Sequence, residues 1–264
     1  MFNILAKSQI PWQRNLAPII LTGLRSIGIR VNINGSGGIP IILGPNMWKK
    51  YEVEDYLFVN RYFVGTKKGA VNKTVAISWN GFNGLGEFCV DGIDYQRLWK
   101  FIDQEDIKSW KDGHDYLLFD QVDNGRSDKS LASWKESIKV PYKTRRHISQ
   151  NPGPLKQDLN NVRAALTFNT TAGIECLMHG VPVVAQDLGN PLYSAVGHDI
   201  DDIKYPNRLP ILHYLANCQW TYDEIQFGKW YERLETRRGP KLNAVNSSEI
   251  CRRDSYRASY WSKP

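Results

Sequence analysis

The stretch Ala164–Asp187, AALTFNTTAGIECLMHGVPVVAQD, decides the fold of this 264-residue chain. Its first apolar run ends at Phe168-Asn169 and predicts a strand. Two threonines and the small pair Ala172-Gly173 then open a helical pattern that ends at Gly180. The short apolar run Val181–Ala185 predicts the next strand. Strand, helix and strand in this order are typical of a βαβ unit with two parallel strands.

The same alternation continues outward in both directions. In the first half, apolar runs that predict strands alternate with helical patterns, and these runs lie at Phe2–Ala6, Ile29–Ile33, Ile39–Leu43, Tyr56–Val59 and Thr74–Ser78. The second half opens with the apolar run Tyr116–Phe119. We therefore predict an α/β protein of two Rossmann-like lobes with mainly parallel sheets and a cleft between the lobes. The expected boundaries are residues 1–100, residues 101–235 and a tail of residues 236–264.

Composition indicates a folded protein of the cytoplasm. Hydrophobic residues make up 42% of the chain, which is enough for a core, and no apolar run reaches the ~20 residues of a membrane span. The first residues, Met1–Lys7, predict a strand rather than a secretory leader. Four scattered cysteines form no CxxC pair, so we expect neither a zinc site nor disulfides, and we expect Cys176 to be buried and inert.

Positive charge is concentrated in the tail. The formal net charge is +7, and residues 236–264 carry seven Lys and Arg residues against two acidic ones. Tyr256, Tyr260 and Trp261 lie among these cations. Basic residues interleaved with aromatic ones suit a polyanion that offers phosphates and bases for stacking, and a solvated tail is the alternative.

The start of the predicted helix has the chemistry of a nucleotide site. A helix that directly follows a parallel strand points its free amides toward the carboxyl edge of the sheet, where α/β proteins bind ligands. Asn169, Thr170 and Thr171 lie at this position, and Glu175 follows about one turn later, where its carboxylate can accept two hydrogen bonds from a ribose diol. The alternative is structural, with Thr170 as a helix cap and Glu175 solvated.

The segment Asn169–Val183, NTTAGIECLMHGVPV, resembles the donor-binding motif of two-lobed (GT-B) glycosyltransferases and of nucleotide-sugar 2-epimerases. Cys176 stands where the motif has a small alanine. Capsule-polysaccharide transferases also carry a strand that ends in Arg-Pro-His-Pro, and Arg145-Arg146-His147-Ile148 is similar to it without the prolines.

A closer similarity is to phage-encoded glycosyltransferase-like proteins. The resemblance covers most of the second half and one stretch of the first, namely Leu118–Val122, Asp158–Asp187, Leu215–Thr221 and Trp79–Gly84. It implies transfer of a sugar from a nucleotide-sugar such as UDP-glucose to a 5-hydroxymethyl-pyrimidine in phage DNA, without a metal or a cofactor. The first lobe would then hold the acceptor and the second lobe the donor. The expected partners are the nucleotide-sugar and double-stranded DNA, in a host cytoplasm.

Donor-binding residues are expected after three strands of the second lobe. The implied set is Gln121, Arg126, Arg145, His147, Asn169, Thr170, Thr171 and Glu175. Arg145 or His147 would neutralise the charge that develops on the leaving phosphate. Arginine is favoured for this task because its planar guanidinium grips phosphate with two hydrogen bonds. Plain loop chemistry is the alternative for Gln121 and Arg126.

Acceptor and base residues are expected in the first lobe. An acceptor hydroxyl needs a general base, and Glu87 and Asp91 flank a glycine-rich turn where a substrate can approach. Trp79, Asn80 and Phe82 would contact the acceptor, and Arg61 would meet its phosphate. The alternative is a hairpin turn with core aromatics. We expect no metal site.

Two other functions fit the same sequence. One is a surface-polysaccharide glycosyltransferase of the capsule or lipopolysaccharide type, whose basic surface faces a membrane without insertion. The other is a non-catalytic nucleic-acid-binding protein of the same fold. Fold similarity alone does not decide between them.

Overall fold

The computed structural model describes residues 1–44, 55–67, 73–90, 92–121, 130–147, 150 and 153–236. Within them, the chain forms two compact units: residues 1–103 with 215–236, and residues 104–214. No helix of this described part is both long and apolar enough to span a bilayer.

Strands and helices alternate along most of the chain. In order they are β1 (Phe2–Leu5), α1 (Pro11–Ser26), β2 (Val31–Ile33), β3 (Ile39–Leu43), β4 (Leu57–Arg61), β5 (Thr74–Trp79), α2 (Tyr95–Phe101), β6 (Asp115–Phe119), α3 (Leu131–Ser137), β7 (Tyr142–Arg145), α4 (Leu155–Asp158), β8 (Val162–Thr167), α5 (Ala172–Met178), β9 (Val183–Ala185), α6 (Arg208–Asn217), β10 (Gln219–Thr221), α7 (Tyr222–Gln226) and α8 (Lys229–Thr236). The prediction of a mixed α/β protein is confirmed.

The first unit contains a mixed six-stranded sheet in the order β10-β5-β4-β3-β1-β2. Strands β2, β1, β3 and β4 are parallel neighbours, whereas β5 runs antiparallel to both β4 and β10. The expected parallel character therefore holds for four of its strands. The link from β4 to β5 has no helix in its described residues 62–67 and 73, and neighbouring strands without a long crossover run antiparallel.

Helix α1 covers one face of this sheet. Its residues Leu16, Ile20 and Leu24 are fully buried and join the main apolar cluster of the unit. Gly23 lies where a side chain would collide with the backbone of α7, since an added Cβ would be 1.9 Å from the carbonyl oxygen of Ile225. A glycine at this position lets the two helices pack closely.

The chain returns to the first unit after Tyr214, earlier than the predicted boundary at residue 235. The returning segment adds β10, α7 and α8. Arg97 of α2 holds it in place, because its guanidinium donates to both carboxylate oxygens of Glu224 at 2.7 Å and to the carbonyls of Ala216 and Gln219. The Arg97 side chain is only 5% exposed and also lies 4.9 Å from the Trp220 ring.

The second unit has a four-stranded, fully parallel sheet in the order β7-β6-β8-β9. Helix α5 connects β8 to β9, so the predicted strand–helix–strand unit in residues 164–187 is confirmed. Gly180 ends the connection with φ +78°, and an added Cβ would be 1.9 Å from the carbonyl oxygen of Ser109. A side chain at position 180 would therefore strain the backbone and collide with it.

Replacing Glu224 by Gln should destabilise the first unit by about 1–3 kcal/mol at pH 7, because it removes the charge that pairs with a buried arginine. Burial raises the pKa of Glu224, but hydrogen bonds and charge from Arg97 outweigh it, and the net pKa is lowered. A lowered folded-state pKa gives stability that is present at neutral pH and is lost as the pH falls below about 4.5, the ordinary value.

Urea unfolding of both proteins from pH 7 to pH 3 checks this prediction. Their difference in unfolding free energy should shrink on acidification. Asp223→Asn, an exposed neighbour in the same helix, is the matched control and should show no such trend. A difference that is constant across this pH range would contradict the ion-pair account.

Candidate functional site

The carboxyl edge of the second sheet collects polar groups from several strands. Because all four strands are parallel, Phe119, Arg145, Thr167 and Ala185 end at the same edge. The chain leaves β6 for β7 on one side and later enters β8 on the other side. The strand order therefore reverses between β6 and β8, and this is where open α/β sheets form a ligand crevice.

Two predicted donor residues meet at this reversal point. Gln121 follows β6 and Asn169 follows β8, and the Gln121 amide donates to Asn169 Oδ1 at 2.7 Å. Gln121 Oε1 in turn accepts the backbone amide of Phe168 at 2.8 Å. Asn169 is 8% exposed. The pair fixes the two strand ends relative to each other, and the edge around it has a defined geometry.

The start of α5 has a structural use for one of its threonines. Thr170 Oγ1 accepts the backbone amide of Ala172 at 3.2 Å and so closes a local turn just before the helix, one residue ahead of the cap position. Thr171 occupies the cap position without a side-chain capping hydrogen bond, and both threonines are half-buried. Thr171 is therefore the better candidate for contact with a ligand.

Arg145 and Glu175 lie within electrostatic reach of each other. Burial raises the pKa of Glu175, and the positive charge of Arg145 opposes this rise. Burial likewise lowers the pKa of Arg145, and Glu175 opposes that change. The Arg145 side chain is 9% exposed, donates to the Gly153 carbonyl at 2.7 Å and pairs with Asp158. Arg145 is held rigidly, with part of its charge already matched by Asp158.

His147 has an acidic neighbour that the sequence analysis did not single out. Asp120 follows β6 directly, and its carboxylate pairs with Lys135 of α3 at 2.8 Å. The hydrogen bond from Lys135 lowers the pKa of Asp120, and the charge of His147 adds to this effect. The position of Asp120 directly after a predicted strand could have marked it as a candidate site residue. Its ion pair with Lys135 could not be predicted from the sequence, because this pair depends on how α3 packs.

A second set of buried hydrogen bonds fixes this edge, and the sequence analysis did not predict it. Asn190 is fully buried and donates to Thr167 Oγ1 at 2.9 Å and to the Phe168 carbonyl at 3.2 Å. Asp187 accepts the amide of Gly189 at 2.7 Å and closes the turn that carries Asn190. These residues support the end of β8 from the side opposite Gln121.

The predicted acceptor residues Trp79, Asn80 and Phe82 have structural roles in the first unit. Phe82 is 5% exposed and contacts Phe58 at 5.9 Å between ring centroids. Trp79 is 7% exposed and donates to the Leu234 carbonyl at 3.3 Å. Asn80, at φ +54°, accepts the Tyr56 amide at 3.2 Å. Both rings are buried, which fits the alternative of a turn with core aromatics, and the acceptor role of these residues stays a prediction.

The remaining first-unit candidates differ in how much the structure says about them. Glu87 is half-buried and pairs through its backbone with Trp79. Arg61 is exposed at the end of β4, near Tyr222, whose pKa is raised by burial against the opposing charge of Arg61. Asp91, like Arg126 of the donor set, lies outside the described residues.

Among the described residues, no group of three or more His, Cys, Asp and Glu side chains could hold a metal ion. Cys89, Cys176 and Cys218 are buried. Cys176 is fully buried, as predicted, and burial raises the pKa of its thiol. A thiol that stays protonated is a poor nucleophile and a poor metal ligand.

Comparison with known proteins finds no matching family model and no matching curated protein. Two matching solved structures are described as KpsC from Thermosulfurimonas dismutans. Its beta Kdo 2,7 transferase is 11% identical, with a TM-score of 0.48, over 88% of this chain and 99% of that one. Its beta Kdo 2,4 transferase is 13% identical, with a TM-score of 0.42, over 83% and 90%. Both TM-scores are below 0.5.

Glu175→Gln should leave the protein equally stable or slightly more stable at pH 7. Burial raises the pKa of Glu175, so the charged carboxylate weakens the folded state, and this cost is relieved as the pH falls. The effect is small because the side chain is 50% exposed. Thermal unfolding at pH 7 and pH 4 measures it. A clear loss of stability in Glu175→Gln at pH 7 would show instead that the carboxylate serves the fold.

Proposed function

We propose that this protein is a glycosyltransferase that binds a nucleotide-sugar at the carboxyl edge of its second sheet. The observation that carries the proposal is the meeting of Gln121 and Asn169 where the strand order reverses, with Arg145, His147 and Glu175 on the same edge. In α/β sheets, nucleotides bind at the carboxyl edge where the strand order reverses, and this edge is polar and held by hydrogen bonds.

The donor would contact this edge through distinct groups. The hydroxyl of Thr171 would donate to the pyrophosphate, and the half-exposed carboxylate of Glu175 would accept hydrogen bonds from the ribose diol. Arg145 and His147 are the proposed cations for the leaving phosphate, and Arg145 also pairs with Asp158. The positive charge of Arg145, held in place by this ion pair, would also stabilise the ionised carboxylate of Glu175.

The proposed reaction breaks the bond between the anomeric carbon of the sugar and the phosphate oxygen. The acceptor hydroxyl oxygen forms the new bond to that carbon, and its proton passes to a carboxylate base. The electron pair of the broken bond stays on the nucleoside diphosphate, whose charge the cations at the sheet edge stabilise. Glu87 is the described candidate for the base, and Asp91 is the other.

For the acceptor we propose a 5-hydroxymethyl-pyrimidine in DNA. The support is the net charge of +7, since a polyanionic acceptor is attracted by a basic protein. A glycan acceptor would need no such charge, and a protein that binds nucleic acid without turnover would need no donor site. These two alternatives are outcomes of the same experiment.

The test is a donor screen that follows release of free nucleotide. UDP-, GDP-, ADP- and CMP-sugars are mixed with the protein, alone and with duplex or single-stranded DNA that contains hydroxymethylcytosine. We expect release that requires the modified DNA and falls at least 100-fold in Glu175→Ala. Glu136→Ala, an exposed glutamate of the same unit, is the matched control and should keep full activity.

Release that does not depend on DNA would replace the DNA acceptor by a glycan. Absence of release, together with no thermal shift on addition of any nucleotide, would overturn the transferase proposal. Because Glu175→Gln is expected to fold as well as the parent protein, loss of release in that variant would report on binding and not on unfolding.

A further inference from the structure

A second concentration of positive charge lies at the start of the chain. Residues 1–44 contain Lys7, Arg14, Arg25 and Arg30 but no aspartate or glutamate, and the first acidic residue of the sequence is Glu52. Residues 1–44 all belong to the described part of the first unit. These cations can act on one partner only if the fold brings them to the same surface.

Three of these cations form a row along α1 and the start of β2. Arg14 and Arg25 are both exposed and lie 11 residues apart, or about three turns, so they project from the same side of α1 and are roughly 16 Å apart along its axis. The guanidinium of Arg25 donates to the Val31 carbonyl at 3.5 Å, and the exposed Arg30 directly precedes Val31. We name Arg14, Arg25 and Arg30 the arginine stripe.

Helices α7 and α8 carry acidic residues, but they meet α1 on its other flank. Helix α7 and the turn into α8 contact α1 at Gly23 and Ile27. Arg14 and Arg25 lie about 180° and about 160° from Gly23 around the helix. Helix α8 then runs toward β5, where Trp79 donates to the Leu234 carbonyl. The acids of these two helices are Asp223, Glu224, Glu232 and Glu235.

The other described acids of the first unit lie farther along the sheet. Asp55 precedes β4 and Glu87 pairs with β5, and these strands are three and four positions from β2, or roughly 14 and 19 Å. Asp94 and Asp103 flank α2, which Arg97 joins to β10 at the opposite edge of the sheet. Among the described residues, no carboxylate lies within ion-pair distance of a stripe guanidinium.

We propose that the arginine stripe binds the phosphate backbone of duplex DNA. A guanidinium binds phosphate through two parallel hydrogen bonds. Each strand of a duplex presents a phosphate about every 3.4 Å of axial rise, so the distance from Arg14 to Arg25 spans about five phosphates of one strand. Two arginines held at a fixed spacing by a helix match such a regular array of charges.

A single strand and a membrane surface suit the stripe less well. Single strands bind largely by stacking on aromatic rings, and the exposed residues between the arginines, Asn15, Pro18 and Thr22, offer no ring. A helix that binds a membrane surface inserts its apolar face, whereas the apolar face of α1 is buried in the core of the unit. Ile33 of β2 is 39% exposed, but one apolar side chain supplies little insertion.

The choice of DNA over an acidic polysaccharide rests on the proposed function, whose acceptor is DNA. The duplex that carries the acceptor base is then the molecule that the arginine stripe binds. This location differs from the sequence-based expectation, which placed nucleic-acid contact in the tail of residues 236–264.

Fluorescence anisotropy of the full chain with a labelled duplex of about 20 base pairs, without any nucleotide-sugar, tests the proposal. Arg14→Gln, Arg25→Gln and Arg30→Gln together should weaken binding at least about 10-fold near 50 mM salt and reduce the slope of log affinity against log salt by about 3. The corresponding triple lysine variant keeps the charges and should keep most of this slope.

The matched control removes three positive charges from exposed positions elsewhere, with Lys100→Gln, Lys139→Gln and Arg163→Gln. It should change the affinity less than about 3-fold, because salt screens charges that lie far from the bound phosphates. Circular dichroism and thermal unfolding confirm that each variant is folded before its affinity is compared.

An unchanged duplex affinity in the triple glutamine variant, or an equal loss in the control, would overturn the proposal. Tighter binding of oligothymidylate or polysialic acid than of the duplex would also overturn it, as would stripe-dependent binding to phosphatidylserine vesicles without binding to the duplex. Because no nucleotide-sugar is present, this outcome is separate from that of the donor screen. A protein that releases nucleotide but binds the duplex independently of the stripe would contradict this inference alone.

Discussion

The side chain of Gln121 is the constraint on which the candidate site depends. Its amide joins the ends of the two central strands of the second sheet, with one hydrogen bond to Asn169 and one to the backbone of Phe168. Asn190 supports the same strand end from the other side. With the end of β8 fixed in this way, the first residues of α5 have a defined direction. Because this edge is already ordered, ligand binding would lose little free energy to the ordering of side chains and backbone.

Both units use buried polar groups to hold segments that are distant in sequence. In the first unit, Arg97 contacts a carboxylate and two carbonyls of the returning chain, 119 to 127 residues away. In the second, Gln121 and Asn190 bond to residues 22 to 48 positions away. Buried hydrogen-bonding groups of this kind are costly when left unpaired, so they favour one arrangement of the chain over others.

Local patterns in the sequence were enough to predict β6, β8, α5 and β9, whereas the strand predicted at Ile138–Tyr142 is β7 at Tyr142–Arg145. Parallel strands end at one edge of a sheet, and this rule alone groups Gln121, Arg145, Asn169 and Glu175 from the sequence. Contacts that depend on packing could not be predicted this way, and the Asp120–Lys135 and Arg97–Glu224 pairs are examples. The sequence also does not distinguish a core position from a binding surface for Trp79 and Phe82, because an aromatic residue beside a glycine turn fits both. The two-lobed arrangement with a cleft stays a prediction.

Hydrogen–deuterium exchange with added UDP, GDP, ADP or CDP tests the central claim most directly, because it locates a bound nucleotide along the chain. The account predicts that one of these nucleotides slows exchange at residues 119–121, 145–147 and 168–175, and that Glu175→Ala abolishes this protection. Protection confined to other segments, or none with any of the four nucleotides at millimolar concentration, would contradict a donor site at the carboxyl edge of the second sheet.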